Sequence, residues 1–370
     1  MVKQPADAPP KKTQADPSEI AIKAAQKKFP EIFISTADEL PDIQFVSTGS
    51  ISLDYILGGG LVRGRLVEIF GPEQGGKTSL SLMIINNFLK EYSERVLYND
   101  AEFSLDPRLI SGFGADPKRI TVIKELEGTK SLEAFMTLLR SGDYGIGVVD
   151  SVAALVPKEE MSASLEDDTV GRHAIMMQRA TNKLVGLISR ANILGIYINQ
   201  IRKKAMQFGD PETTTGGHAI KHLYSYRIRV EGGLTKGSKI VNKDGIVIGH
   251  TMKILIAKNK LAPPWRKVEL DLIYGKGFDL VSELLTLSED CGLIEKVGSY
   301  YNYNGERIGH GRDNVLEFLR AKDDLYTELK GKILNSLRGE KGGQYDSEKF
   351  EQDSGENTET TDNTFPELSN

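Results

Sequence analysis

The stretch Arg65-Leu-Val-Glu-Ile-Phe70-Gly71-Pro-Glu-Gln-Gly-Gly-Lys77-Thr78-Ser79 decides the fold. Its second half fits G-x-x-x-x-G-K-[ST], the phosphate-binding P-loop. Arg65–Phe70 reads as a buried strand and Ser79–Leu89 as a helix, which is the context the motif needs. The turn between them aims successive backbone N–H groups, and the helix N-terminus, at a polyphosphate. ATP or GTP would lie against Gly71, Pro72, Glu73, Gln74, Gly75, Gly76, Lys77, Thr78 and Ser79. Lys77 would reach the β- and γ-phosphates, and the Thr78 hydroxyl would bind Mg²⁺. A Gly-rich turn followed by a chance Lys-Thr is the bland alternative, and the flanking strand and helix argue against it.

Strands and helices alternate downstream. Arg95–Asp100, Ile120–Ile123, Gly145–Asp150 and Ile193–Ile198 read as strands, and Ser131–Arg140 and Ala174–Arg190 as helices. The alternation predicts a mostly parallel α/β sheet flanked by helices. Arg227–Val230, Met252–Ile256 and Val268–Ile273 follow with little helix between them and read as antiparallel additions. From about Leu280 the pattern becomes helical, with Tyr300-Tyr-Asn-Tyr-Asn-Gly305 inserted. Asn304-Gly305 signals a hairpin turn, and the tyrosines read as packing. Residues 1–17 are rich in Pro, Lys, Ala and Asp and read as disordered. Ser18 opens an amphipathic helix, Glu19–Phe29, that Pro30 ends. Such a helix is either a fraying arm or a dock for a neighbouring subunit.

Composition bounds the class. The chain has 370 residues, 39% hydrophobic and 27% charged, as in globular proteins. No apolar run approaches the roughly 18–20 residues a membrane span needs, and the N-terminus lacks a signal-peptide core. The single cysteine, Cys291, excludes an internal disulfide framework, and the five histidines are scattered. We therefore expect a cytoplasmic protein without membrane contact. Net charge is −5, but Gln344–Asn370 carries eight acidic residues against Lys349, so this tail holds −7 and the remainder +2. The tail reads either as an electrostatic competitor of other anions for basic surfaces or as a solubility tail.

Several residues carry chemistry. Asp150 closes an apolar strand, the arrangement that holds Mg²⁺ directly or through water. Glu102 lies just past the end of another strand, at the sheet edge where ligands bind, and is the candidate general base. Gln200, beyond a third strand, is placed to sense a γ-phosphate. Two long loops follow the same edge, Pro157–Gly171 and the segment from Arg202 to His218. The second mixes Arg202, Met206, Phe208, Thr213, Thr214, Gly216, Gly217 and His218. Such a mixture suits a nucleic-acid backbone, with Phe or Met able to stack or wedge; a flexible surface loop would read similarly. Lys258 and Lys260 follow a strand and are either a solvated edge or a positive contribution to a phosphate, including one bound by a neighbouring subunit.

Together these stretches resemble the bacterial RecA recombinase family over about residues 18–335. The resemblance is carried by Ser47–Asp54, Gly71–Thr78, Ala101–Pro107, Val149–Leu155, Ile198–Arg202, Gly209–Gly217 and Lys258-Asn-Lys260, with Tyr274–Gly277 and Gly292–Val297 beyond. Pro211-Glu-Thr-Thr-Thr-Gly-Gly217 is the most specific of them. The resemblance implies a RecA-type P-loop ATPase core at 46–279. An N-terminal oligomerisation helix and linker at 18–45 and a small α+β C-terminal domain at 280–337 accompany it, and an acidic tail at 338–370 is expected to be disordered. It implies an ATP- and Mg²⁺-dependent helical filament on single-stranded DNA that pairs with homologous duplex DNA and exchanges strands, with mediators or a single-strand-binding protein as possible partners. It makes Glu102 the catalytic glutamate, Asp150 the metal-side aspartate, and Gln200 the link from γ-phosphate to the DNA loop. Lys258 and Lys260 become lysines reaching ATP across the subunit interface, and Asp106 and Tyr274 adenine-side contacts. Leu109 replaces an aromatic near the base, Phe103 a histidine beside Glu102, and His222 an interface phenylalanine. The first loop is acidic, with Arg172 its basic candidate, and the second is one residue shorter between Arg202 and Phe208. A RecA-fold helicase would share the ATPase residues but does not need Pro211–Gly217. A filament acting mainly as a scaffold or co-activator is the other alternative.

Overall fold

A computed structural model describes residues 16–30, 32, 34–162, 164, 171–203, 212–217, 219–232 and 238–339. The chain divides into two compact units, Met1–Gln44 and Phe45–Asn370. In the first, the helix Pro17–Lys28 starts with Asp16 accepting from the Ser18 N–H, two residues earlier than Ser18 would have set it. Proline at the first helical position loses no hydrogen bond there, which explains the earlier start. This helix has no buried residue.

The second unit is built on an eleven-stranded sheet. Its main path runs Gly277–Phe278, Lys267–Ile273, Val247–Asn259, Tyr226–Glu231, Leu66–Gly71, Leu194–Lys203, Tyr144–Asp150, Arg95–Asp100, Ile120–Ile123. The strand Leu66–Gly71 pairs in parallel with both Leu194–Lys203 and Tyr226–Glu231. The second pairing corrects the expectation that Arg227–Val230 is an antiparallel addition. Antiparallel pairing begins one strand later, between Tyr226–Glu231 and Val247–Asn259. The connection preceding Tyr226 is long enough to cross back over the sheet, which parallel pairing requires.

Strand alternation sorts the side chains. Val67, Ile69, Val96, Tyr98, Ile146, Val148, Ile196 and Ile198 share one core with the P-loop helix residues Leu80, Ile84 and Phe88. Leu66, Leu97, Val149 and Tyr197 point into a second core, with Leu132 and Phe135 of the helix Gly128–Leu139 and Leu184 and Ile188 of Arg172–Ala191. Period two carries the first set to Gly71, Asp100, Asp150 and Gln200 at the strand ends. The functional ends of four parallel strands therefore open on the side where the P-loop helix packs.

Three of the sequence-read segments are longer or more ordered than expected. The helix after the P-loop begins at Lys77 and ends at Glu91. The strand expected at Ile193–Ile198 continues to Lys203, because the returning segment Glu212–Thr214 pairs antiparallel with its end. Part of the first long loop, Lys158–Met161, forms one turn of helix.

A third core joins the helices Leu280–Asp290, Arg312–Arg320 and Asp323–Gly339 to a three-stranded meander, Ile294–Val297, Tyr300–Tyr303 and Glu306–His310. Asn304 and Gly305 both have positive φ, as a two-residue hairpin turn demands. Tyr301 and Tyr303 are buried, in accord with a packing role. Glu283 links this region to the rest of the unit. It accepts hydrogen bonds from Ser50 Oγ (2.6 Å), the Ser52 N–H (2.9 Å), the Ile51 N–H (3.3 Å) and Ser52 Oγ, at the N-terminus of the helix Ile51–Leu57. A carboxylate there meets both the orphan N–H groups and the positive end of the helix dipole.

Two stability outcomes are expected. Glu283→Ala should destabilise the protein by about 2 kcal/mol in denaturant titration, as expected for losing hydrogen bonds to a charged acceptor. Asp54 accepts from Ser47 Oγ (2.5 Å), the Thr48 N–H (2.7 Å) and Thr48 Oγ1 (2.7 Å), yet burial pushes its carboxyl up to about 6. An acid whose pKa is raised by folding holds its proton longer in the folded chain, so stability falls as pH rises from about 4 to about 6. Asp54→Asn removes this effect. Its stability relative to the wild type should therefore increase across that window, by up to about 3 kcal/mol.

Candidate nucleotide site

The strand Leu66–Gly71 ends against a backbone carbonyl, and this makes Gly71 obligatory. A Cβ at Gly71 would lie 2.1 Å from the Val230 carbonyl oxygen. Gly76 has φ +90°, and a Cβ there would also meet Met252 Sδ at 2.6 Å. The loop therefore lies against its neighbouring strands with bare backbone. It opens into a cleft of about 500 Å³, lined by Glu73 through Ser79, Glu102, Asp150, Gln200, His250, Leu272 and Tyr274.

The polar groups in this cleft are tied to each other. Lys77 is 9% exposed and donates from Nζ to the Pro72 carbonyl at 2.6 Å. Burial lowers its pKa against the attraction of Asp150, Glu102 and Glu73. Thr78 Oγ1 donates to Asp150 Oδ2 at 2.8 Å, and the Tyr98 hydroxyl donates to the same oxygen at 2.6 Å. Asp150 is buried, which pushes its carboxyl up to about 6 although both hydroxyls favour its anion. A nearby cation would favour the anion further. The Thr78 hydroxyl gives its proton to Asp150 and keeps its lone pairs, so the pair fits a hard divalent cation that takes oxygen ligands and retains waters.

Glu102 is exposed, and its Oε1 accepts from Gln200 Nε2 at 3.2 Å. The turn carrying Glu102 is pinned from beneath. Asp100 is fully buried and accepts from the Ser104 N–H (3.1 Å) and the Leu105 N–H (3.0 Å). Phe103, next to Glu102, holds φ 55°, a conformation that bulky side chains rarely adopt. The side chain that departs from the family pattern is 50% exposed there.

On the opposite sheet face, behind Gln200, a second network is centred on the buried Asn199 and Glu68. Asn199 Oδ1 accepts from the Gln200 N–H at 2.9 Å, while its Nδ2 donates to Glu68 Oε1 (3.0 Å) and to the Thr215 carbonyl (2.8 Å). Glu68 in turn receives Arg227 Nε at 2.5 Å. One asparagine thus joins the strand end at the cleft to the segment Glu212–Gly217. The ladder pairs Ile201 with Thr214, Arg202 with Thr213 and Lys203 with Glu212. Gly216 and Gly217 have φ +99° and +82°, so the return needs glycine for its backbone alone. Thr214 is buried, and Arg172 stands exposed at the start of its helix. For Arg202 and Thr213 the backbone is described, and Met206, Phe208 and His218 lie outside the described residues.

Other expected residues lie off the cleft lining. Gly71 serves packing and Pro72 offers its carbonyl to Lys77. Asp106 caps the helix Pro107–Gly112 and pairs with Arg108 at 2.7 Å, which with the Arg108 N–H holds its pKa down at about 2. Lys258 and Lys260 follow from strand direction. Val247–Asn259 runs antiparallel to its neighbours, so its start meets the cleft and its end leaves at the opposite sheet edge. His250 is at the cleft, and Lys258 is eight residues on, roughly 27 Å along an extended strand. Lys258 Nζ donates to the Lys221 carbonyl at 2.9 Å and the His222 carbonyl at 3.3 Å.

Sequence reading missed His250, Leu272 and Tyr98. His250 Nδ1 lies 3.1 Å from the Tyr274 hydroxyl and its ring is buried, which lowers its pKa. Nothing local marks His250, since only the strand reversal brings it to the phosphate loop. Tyr98 carried a faint signal, a polar-tipped ring two residues before Asp100 in an otherwise apolar run.

Comparison with known proteins agrees with this geometry. The chain matches the RecA N-terminal domain over residues 18–279 and the RecA C-terminal domain over residues 282–338. It is 41% identical over 297 residues to Protein RecA of Caulobacter sp. (strain K31), covering 80% of this chain and 82% of that one. It is 39% identical over 320 residues to Protein RecA of Thermus aquaticus, covering 85% of this chain and 93% of that one. A solved RadB recombinase aligns with 63% of this chain and 98% of its own length, at 20% identity and a TM-score of 0.48. A P-loop cleft completed by Asp150, Glu102 and Gln200, in a chain that matches both RecA domains, places this protein in the RecA family of recombinases, which are DNA-dependent ATPases.

Proposed function

We propose that the cleft binds ATP with Mg²⁺, and that the protein assembles on single-stranded DNA as a helical filament that pairs with homologous duplex DNA and exchanges strands. The observation that carries the coupling is the position of Gln200. Its amide touches Glu102 in the cleft, and its backbone N–H is held by Asn199, which also holds the Thr215 carbonyl. A change at the nucleotide therefore has a short mechanical route to the segment expected to meet DNA, through two adjacent residues on opposite sheet faces.

In this reading the backbone N–H groups of Gln74–Thr78 and the Lys77 ammonium hold the phosphates. Thr78 and Asp150 hold the cation, which when bound neutralises phosphate charge. Glu102 accepts a proton from the attacking water, and Gln200 releases Glu102 as it turns to the γ-phosphate. Tyr274 flanks the base. Asp106 contributes there only after leaving Arg108. Lys258 and Lys260, at the opposite sheet edge, serve the cleft of a neighbouring copy, and the helix Pro17–Lys28 packs on such a copy. Arg172, Arg202, Met206, Phe208, Thr213, Thr214, Gly216, Gly217 and His218 form the DNA side, with Thr214 becoming available as its ladder opens. Residues 46–279 act as the ATPase core and 280–337 as a separate small domain, and the acidic segment 344–370 competes with DNA. Recombination mediators and a single-strand-binding protein are natural partners, and the cytoplasm the natural compartment.

ATP hydrolysis with and without single-stranded DNA tests the coupling. Wild-type turnover should rise with DNA, and equal rates would refute the proposal. Gln200→Ala should bind nucleotide normally and lose the stimulation. Lys77→Ala should lose nucleotide binding and turnover together. Glu102→Gln should retain binding while turnover falls by about 10²–10⁴-fold, as for removal of a general base. Equal loss of binding in the last two variants would overturn this division of roles.

A further inference from the structure

Tyr98 has no part in the roles above. It is 1% exposed, set in the core beneath the P-loop helix, and outside the residues that line the cleft. A buried phenol needs a hydrogen-bond partner, and in this core it takes Asp150 Oδ2 at 2.6 Å. The choice follows from register. Tyr98 stands opposite Val148 in the parallel pair of strands, two residues short of Asp100 and Asp150, and all four side chains share one sheet face. The ring therefore reaches along the strands toward the edge and ends at the carboxylate.

Asp150 Oδ2 is then held from two independent elements. Thr78 approaches from the P-loop helix and Tyr98 from the strand Arg95–Asp100. Two donors on one oxygen fill its hydrogen-bonding directions, and turning the carboxyl would break both bonds. Oδ1 is left as the oxygen for a cation or its water. Thr78 belongs to the loop that must adjust to a nucleotide, whereas Tyr98 is fixed in the sheet.

We propose that Tyr98 is a positioning residue for the cation site, acting through Asp150: its hydroxyl keeps the carboxylate oriented whatever the P-loop does. The proposal rests on the reading of Thr78 and Asp150 as the cation-side residues. Hydrogen-bonded partners of ligating carboxylates typically change metal affinity by about 10- to 100-fold when removed.

Tyr98→Phe keeps the ring and its packing, which a melting curve checks. Binding of a fluorescent ATP analogue is titrated with Mg²⁺, and Mn²⁺ binding is followed by electron paramagnetic resonance in the presence of nucleotide. The half-saturating Mg²⁺ concentration should rise about 10- to 100-fold, with Mn²⁺ binding weakened in parallel. Nucleotide affinity without a divalent cation should not change. Replacing Tyr98 with p-aminophenylalanine, which retains a donor at the end of the ring, should recover most of the loss. An unchanged Mg²⁺ requirement in Tyr98→Phe, alongside a raised one in Asp150→Asn, overturns the proposal and leaves the cation site standing. An unchanged requirement in Asp150→Asn overturns both. Equal weakening of nucleotide binding with and without Mg²⁺ also overturns the proposal, because a general packing defect acts in that way.

Discussion

The hydrogen bond from Thr78 to Asp150, 2.8 Å long, ties the first turn of the P-loop helix to the end of a neighbouring strand. The cleft depends on that junction. It fixes the helix N-terminus over the sheet edge, where its unpaired N–H groups can meet an anion. It also explains why the sheet faces divide as they do. The strands that pack on the helix with Tyr98, Val148 and Ile198 carry Asp100, Asp150 and Gln200 on that same face, and of these Asp150 and Gln200 line the opening, because side chains alternate with period two.

The cleft is electrostatically unbalanced by construction. Burial raises the Asp150 carboxyl and lowers the Lys77 ammonium, so both charged forms are disfavoured there. Hydroxyl donors and a backbone carbonyl offset part of this cost. Phosphates and a divalent cation would offset the rest, since each supplies the opposite charge that one of these groups lacks. The network behind the cleft, Asn199 with Glu68 and Arg227, is different in kind. Its donors and acceptors meet one another, and one asparagine side chain joins the strand end to the Thr215 carbonyl.

Strand direction does as much for function as residue identity. Lys267–Ile273 runs with the parallel strands and delivers Leu272 and Tyr274 to the cleft, whereas Val247–Asn259 runs against them and delivers His250 from its start. The same reversal carries Lys258 to the opposite edge.

Much of this was legible in the sequence. Gly71–Thr78 determined the phosphate loop because few backbones place those N–H groups together, and Asp150, Glu102 and Gln200 were readable as polar residues at or just past the ends of apolar runs. Asn304-Gly305 determined its hairpin through positive φ alone. Local pattern failed where pairing partners are remote. The parallel setting of Tyr226–Glu231 and the extension of the Gln200 strand to Lys203 both depend on which segments meet in space. So do His250 at Tyr274 and Tyr98 at Asp150, contacts 24 and 52 residues apart in the chain. The sequence by itself determined which chemistry this protein carries, because phosphate binding by backbone needs a short contiguous motif. Only the tertiary structure decided which side chains hold that chemistry in place, because a buried hydroxyl or imidazole takes its role from the neighbour that the sheet's register and direction bring to it.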